Sequence, residues 1–443
     1  MSNFNLDTIL YNILIYKGLF IKTFSDLNLS DEILKAIVDL GYENPTSIQE
    51  KAIPIALKKR DIIGISQSGT GKSCAFILPI LEEILKERKN NTNNILRGLI
   101  LVPTRELAKQ IIKAIDDYSK YIPIKRAAIF GGVSAKDQEK KFKNGIDIAV
   151  CTTGRLLEHL KNGTINLSSV TNVVIDELDT MLDMGFLEEI EKILPNIGVN
   201  RQIMMFSATI NPTVKKLAKE FLNDPIVIEV TNQRSSVKLI EQQIVLVDED
   251  KKHELLSYLI GSKNFSQALV FVNQKAQADN LVENLELDGL KSACIHGDIR
   301  QSSRALALRK FKEKELRVLV ATDIAARGID IEELPVVINY SLPETIIDFT
   351  HRVGRTGRAG KEGLAITLLS VKDYKLMAEI EKELKLNIPR LTLEGFETTE
   401  KKPRNKKPKP KPLSQKKPEA RKEAQRQEKS KKVSKFRKTT KRG

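Results

Sequence analysis

Short apolar runs recur along this chain, and longer stretches with apolar residues every third or fourth position separate them. Asp61–Ile65, Gly98–Val102, Asp147–Cys151, Val173–Ile175 and Ile203–Phe206 are runs of the first kind. Ile244–Val247, Ala268–Val272, Val318–Val320, Val336–Asn339 and Ala365–Leu369 repeat the pattern in the second half. Helical patterns lie between them, at Cys74–Glu87, Arg105–Ile115, Pro212–Leu222, Gln274–Leu285 and Ser302–Phe311. This alternation predicts βαβ units and parallel sheets. The runs lack polar alternation, so both faces of each strand should be covered. Ser30 should cap a short amphipathic helix that starts beside it. The halves share no residue-level repeat, only the same α/β alternation.

The ends and the middle read differently. In residues 1–22, Ile9, Leu10, Ile13, Leu14 and Ile21 could line one helical face, and the segment reads as an extension. The polar stretch Thr231–Lys238 suits a linker within 231–240, between units at 23–230 and 241–390. From 391 the chain reads as a basic tail, and past about Phe396 its composition collapses to Lys, Arg, Pro, Gln and Ser, which predicts disorder. From Lys401 to Gly443 there are 20 Lys and Arg against 3 acidic residues, a net of +17, which leaves the rest of the chain at −1. Such an arm should attract polyanions.

Composition excludes several classes. Cys74, Cys151 and Cys294 lie far apart without a CxxC pair, so a disulfide scaffold or zinc ribbon is not expected. No run reaches about 18 apolar residues, and residues 6–21 lack the basic start and cleavage site of a signal peptide. The expectation is a reduced, soluble, cytoplasmic protein with no membrane contact.

The chemistry concentrates after two predicted strands. Asp61–Ile65 leads into Ser66, Gln67, Ser68, Gly69, Thr70, Gly71, Lys72 and Ser73, and then a helix. A strand, a Gly-rich turn and a helix N-terminus make a phosphate cradle of backbone N–H groups. Lys72 can reach the β- and γ-phosphates, and the Ser73 hydroxyl can ligate Mg²⁺. The strict pattern has Gly where this chain has Ser66. Asp176-Glu-Leu-Asp179 ends another strand, at the sheet edge where α/β folds place their sites. Asp176 suits the hydrated metal, and Glu177 suits a general base for an attacking water.

With these segments in place, the chain resembles the DEAD-box RNA helicases from roughly Phe24 to Leu386. Gly41–Gln49 resembles the Q motif, Pro103–Ala108 motif Ia, Gly131-Gly132 the GG motif and Ser207-Ala-Thr209 motif III. Val270–Asn273 resembles motif IV, and His296-Gly-Asp298 with Gln301-Ser-Ser-Arg304 the segment after it. Ala321–Asp330 resembles motif V and His351–Arg358 motif VI. The short body and basic tail look most like the bacterial RhlE-like branch. The resemblance implies two tandem RecA-like domains, each a parallel sheet flanked by helices, with ATP and Mg²⁺ as cofactors.

The resemblance also assigns roles. Gln49 should read adenine, and Phe24 or Tyr42 should stack on the base. Asp179 should hydrogen-bond Ser207 or Thr209, and Asp330 should meet the ribose. Arg355 and Arg358 should be arginine fingers, each contributing roughly 10³–10⁵ in rate. Asp179, Ser207, Thr209, His351 and Arg352 should couple the two domains. Pro103, Thr104, Arg105, Gly131, Gly132, Thr152, Arg155, Gln301, Arg304 and Thr322 should meet RNA, through phosphate and 2′-OH contacts rather than base reading. The implied activity is RNA-stimulated ATP hydrolysis with local, non-processive unwinding by a monomer; ribosomal or RNA-degradation assemblies are the implied partners. Three departures stand out: Leu178 in place of Ala, Thr153 in place of Pro and Ser66 in place of Ala. An RNA clamp with little hydrolysis and a DNA helicase or translocase are the competing readings.

Overall fold

The computed structural model describes residues 22–66, 69–88, 95–230, 240–326, 329, 331, 334–357 and 363–399, with the side chain of Gln301 excepted. The expectations for residues 1–21, for Gln67, Ser68, Asp330 and Arg358, for the linker and for the tail from 400 lie outside the described residues.

The first half builds β1 (Ile62–Ile65), β2 (Gly98–Leu101), β3 (Arg126–Ile129), β4 (Ile148–Cys151), β5 (Asn172–Ile175), β6 (Gln202–Ser207) and β7 (Ile226–Glu229). The second half builds β8 (Ile240–Leu246), β9 (Ala268–Phe271), β10 (Ser292–Ile295), β11 (Val318–Ala321), β12 (Val336–Asn339), β13 (Gly363–Leu369) and β14 (Arg390–Leu391). The first sheet runs β3-β4-β2-β5-β6-β1-β7, and the second runs β10-β11-β9-β12-β13-β8-β14. Counted from the start of each half, the two orders are identical. Every strand pairs in parallel, in register such as Ile63 opposite Met205 and Leu269 opposite Val337. Two tandem RecA-like sheets flanked by helices follow.

Both faces of each sheet are covered. In the first half one core gathers Ile62, Phe76 and Phe206, and the other gathers Ile63, Leu101, Ile175 and Met205. Alternate residues of one strand therefore enter opposite cores, as the period of two requires. Gly64 sits where β1 crosses Phe206: a Cβ there would lie 2.6 Å from the ring. The sheet closes against Phe206 only because that side chain is missing, and the ring packs in turn on Phe76.

Two boundaries and one cap differ from the sequence reading. Ile240 opens β8 and so belongs to the second sheet rather than to a linker. Residues 391–396 belong to the second half as well: Leu391 pairs with Val245, Leu393 and Phe396 pack on its core, and Phe396 lies 5.6 Å from the Tyr258 ring. The compact unit ends at Glu397. Ser30 does occupy the position before the helix Asp31–Asp39, but its hydroxyl donates to the buried Glu82 at 2.8 Å instead of capping that helix. Among the described residues no helix is long and apolar enough to cross a membrane.

Candidate active site

The loop after β1 turns through Gly69 at φ 77° and Gly71 at φ 93°, in the left-handed region that glycine adopts without strain. The helix Lys72–Arg88 starts there, so its free N–H groups and dipole face the loop. Lys72 is buried, and its Nζ donates to Ser66 O at 3.1 Å, back across the turn. Ser66, the departure from the strict pattern, has its hydroxyl 3.1 Å from Thr70 Oγ1 and braces the loop from inside. Ser73 is half-buried on the first turn of the helix.

Gln49 packs directly beneath this loop. It is 4% exposed, its Oε1 accepts from Thr46 N–H at 2.8 Å, and its Nε2 donates to Gly71 O at 3.1 Å. Thr46 Oγ1 donates to Thr70 O at 2.7 Å. A Cβ on Gly71 would meet Gln49 Nε2 at 2.3 Å, so the two positions fit only with glycine there. Here the amide expected to read adenine is engaged by the phosphate loop. Phe24 and Tyr42 stack with centroids 6.5 Å apart, but Phe24 is 5% exposed and Tyr42 is 44% exposed. Of the two expected stacking rings, Tyr42 has a face to offer.

Asp176 lies buried at the end of β5. Among the described residues the only hydrogen bond to its carboxylate is from Glu177 N–H to Oδ1, at 2.9 Å. Burial pushes its carboxyl above the usual range, and the Lys72 charge opposes that. A buried carboxylate with acceptor capacity left over, near a phosphate cradle, suits a hard divalent cation, and Ser73 supplies a second oxygen. Glu177 turns the chain at φ 50°, strained for a residue with a side chain, as the strand gives way to the helix Leu178–Asp183. Burial raises its carboxyl, and the Asp176 charge raises it further. Lys72 and Arg355 act the other way, so a charge from the second half is felt at a carboxylate of the first.

Asp179 resolves the expected alternative in favour of Thr209. Its Oδ2 accepts from Ala208 N–H, Thr209 N–H and Thr209 Oγ1–H at 2.9, 3.0 and 3.2 Å. The Ser207 hydroxyl instead donates to Thr209 O at 2.7 Å. All of this lies within the first half. Leu178 is fully buried in the core with Ile175, Met181 and Met205.

The residues expected to face RNA gather beyond the strand ends. Pro103 is buried, and Thr104 caps the helix Arg105–Tyr118 by accepting from Leu107 N–H at 3.2 Å. Arg105 lies across Gly131 and Gly132, and a Cβ on Gly132 would sit 2.2 Å from Nη1. Arg155 Nη1 donates to Val133 O and to Gln138 Oε1, at 3.0 and 3.2 Å. Gln138 also bonds Phe130 O and faces His159 Nε2 at 3.1 Å, an anchor for Arg155 that no motif announced. Thr152 precedes the helix Thr153–Lys161 without a side-chain cap. Thr153, the residue that departs from the family proline, is buried and donates its hydroxyl to Glu189, which ties this helix to Leu187–Ile193. In the second half Thr322 is buried after β11, and Gln301 opens the helix Gln301–Lys312, where Arg304 follows. Arg304 Nη2 donates to Ala325 O at 2.6 Å, and its Nε lies 3.5 Å from Glu106 of the first half.

Arg352 is a correction. Its described partners all belong to the second half: Asp323 takes two bonds at 2.6 Å each, Ser341 O one at 2.6 Å and Asn273 Oδ1 one at 2.9 Å. The guanidinium stacks over Phe271 at 5.1 Å and is buried. It locks the second half internally rather than coupling it to the first. His351 lines a narrow cleft with Asp323, Asp348, Arg352 and Arg355. Arg355 is buried, and its Nη1 donates to Ile329 O at 2.9 Å.

Comparison with known proteins agrees with this geometry. The DEAD/DEAH box helicase domain matches residues 46–217, and the helicase conserved C-terminal domain matches residues 250–360. The chain is 39% identical over 369 residues to the DEAD-box ATP-dependent RNA helicase CshA of Geobacillus kaustophilus, across 83% of this chain and 78% of that one. It is 40% identical over 362 residues to RhpA, a DEAD-box ATP-dependent RNA helicase of Helicobacter pylori, across 82% of this chain and 72% of that one. The structure of S. cerevisiae Dbp5 bound to RNA and ADP BeF3 superposes with a TM-score of 0.74 at 29% identity, across 84% of this chain and 96% of that one.

Proposed function

Since the chain belongs to the DEAD-box family of ATP-dependent RNA helicases, we propose that it hydrolyses ATP in a pocket divided between its two sheets and couples closure of that pocket to local, non-processive RNA strand separation or RNA–protein remodelling. The observation that carries this reading is the joint burial of Lys72, on the loop after β1, and Asp176, at the end of β5, in one half, with Arg304 of the other half 3.5 Å from Glu106.

Each group then has a task. The N–H groups of residues 66–73 and the Lys72 ammonium hold the phosphates. Tyr42 stacks on the base. Gln49 reads adenine by exchanging Gly71 O for the ring, so base binding changes the brace beneath the phosphate loop. Ser73 and Asp176 would hold Mg²⁺, which supplies charge neutralisation of the phosphates when bound. Glu177 orients the attacking water and takes its proton; a carboxylate held above its usual range is a better base for that task. Arg355 and Arg358 place positive charge where it develops on the transferred phosphoryl group, and Asp330 meets the ribose. Asp179 passes the state of the acidic turn to residues 207–209.

RNA lies across both halves, on Thr104, Arg105, Gly131, Gly132, Thr152 and Arg155 on one side and Gln301, Arg304 and Thr322 on the other. These groups suit phosphate and ribose, so the core has little base preference. Leu178 faces the core, which favours turnover over a clamp without hydrolysis. Placement in the RhlE-like branch, a monomeric state, a cytoplasmic location and association with ribosomal or RNA-degradation assemblies complete the reading. The branch assignment rests on the short body and basic tail, and the location on three unpaired cysteines.

Steady-state phosphate release with single-stranded RNA, DNA and no polymer, on the full chain and on a chain ending before Lys401, tests the proposal. RNA should stimulate release and DNA should not. Truncation should weaken RNA binding and flatten its salt dependence while saturated turnover stays nearly intact. Equal stimulation by DNA would favour the DNA-translocase reading; release no greater than that of Glu177→Gln would favour the clamp.

A further inference from the structure

Ser292, Cys294 and His296 alternate along and just past β10, an edge strand of the second sheet, and face the helix Lys275–Leu287. Ala293 and Ile295 pack on the opposite face. Ser292 Oγ donates to Val282 O at 3.3 Å. One turn earlier on the same helix, Asp279 Oδ1 accepts from Cys294 Sγ at 3.3 Å and lies 2.9 Å from His296 Nε2. Asp279 is exposed, Cys294 half-buried and His296 buried. Among the described residues this is the one group of three His, Cys, Asp or Glu side chains whose ligand atoms converge, all within 4.8 Å of one another.

We propose that Asp279, Cys294 and His296 bind a thiophilic divalent cation of the zinc class, at a site separate from the groups assigned to ATP, Mg²⁺ and RNA. The donor set carries the choice of ion. A thiolate and an imidazole select Zn²⁺ over Mg²⁺, which prefers oxygen. Three protein donors with a fourth position open to solvent are the pattern of open zinc centres. Tetrahedral coordination at ordinary zinc bond lengths separates neighbouring donors by about 3.4–3.6 Å. The two edges that meet at Asp279 Oδ1, at 3.3 and 2.9 Å, are hydrogen bonds and need to open by only about half an ångström, with the ion taking the place of the Sγ and Nε2 protons.

The site adjoins the turn that leads to Gln301 and Arg304. His296 Nδ1 accepts from Asp298 N–H at 3.4 Å, and Asp298 pairs with Lys275 Nζ at 2.6 Å. An ion on Nε2 leaves the proton on Nδ1, which can then no longer accept from Asp298. Loading the cation therefore alters the turn before the helix that bears Arg304. That consequence for RNA rests on the proposed function; the binding itself does not.

The test uses the full chain, stripped with EDTA and titrated with Co²⁺ in excess Mg²⁺. Wild type should take up one equivalent with a thiolate-to-cobalt charge-transfer band in the near ultraviolet, and Zn²⁺ should displace it. Cys294→Ser should abolish the band, and Asp279→Asn should weaken binding at least tenfold. The other cysteines, Cys74 and Cys151, are buried, and the chain has neither His nor Cys after residue 351 to compete. Absence of the band in wild type, its persistence in Cys294→Ser, or unchanged affinity in Asp279→Asn would each overturn the proposal. None of these readouts depends on ATP turnover.

Discussion

Arg304 of the second half and Glu106 of the first lie with Nε and Oε1 3.5 Å apart, and theirs is the only ion pair between the two sheets among the described residues. Both side chains are largely shielded, at 13% and 10% exposure. Burial draws the Arg304 guanidinium below its usual range, while Glu106 supports it and Arg105 opposes it. Removing the carboxylate strands a cation in a desolvated place beside another arginine.

Glu106→Gln should therefore weaken the closed arrangement. The RNA concentration for half-maximal ATPase stimulation should rise about tenfold for each 1.4 kcal/mol lost, with basal turnover unchanged. An RNA titration of phosphate release measures this. No shift would mean that the pair does not hold the halves together.

The acidic turn trades stability for chemistry. The folded-state pKa values of Asp176 and Glu177 are raised above their unfolded values, chiefly by burial. Stability from such a group is present below the unfolded value and is lost as pH rises through the folded one, so above the ordinary carboxylate range both groups destabilise the free protein. Glu177→Gln should then raise Tm in the absence of nucleotide, by about 2–4 °C per kcal/mol relieved, and lower turnover roughly 10²–10⁴-fold. The acid limb of the wild-type pH–rate profile should lie above the ordinary value of 4.5 for a glutamate. Calorimetry and a pH series check both; a lower Tm in Glu177→Gln would contradict the account.

Leu178 replaces a smaller residue in the acidic motif yet contributes only to the core. Leu178→Ala should cost about 2–5 kcal/mol through the cavity it leaves, read as a lower denaturation midpoint, while turnover at saturating ATP and RNA stays within a few-fold. A large change in turnover at unchanged stability would show that this side chain sets the position of Glu177 after all.

What the sequence made legible follows burial. The apolar runs picked out ten strands, and these are the interior strands of the two sheets: β1, β2, β4, β5 and β6, then β8, β9, β11, β12 and β13. The strands that reading left out, β3, β7, β10 and β14, are the four edges. An edge strand has less surface to cover, so Arg126–Ile129 and Ser292–Ile295 carry small or polar residues and Ile226–Glu229 is only partly buried. Within the site, spacing located the phosphate loop and the acidic turn because both sit beside interior strands. It could not show that Gln49 braces Gly71, that Arg352 serves only the second half, or that Gln138 anchors Arg155, since those partners meet only through the fold.

The central claim is that an arginine from the second sheet completes a pocket on the first when RNA draws the halves together. Single-turnover ATP hydrolysis by the full chain and by Arg355→Gln, each with and without saturating single-stranded RNA, tests it most directly. RNA should accelerate the wild type strongly, and Arg355→Gln should lose roughly 10³-fold or more of the RNA-dependent rate while still binding nucleotide. An Arg355→Gln protein that RNA accelerates as fully as the wild type would contradict the account.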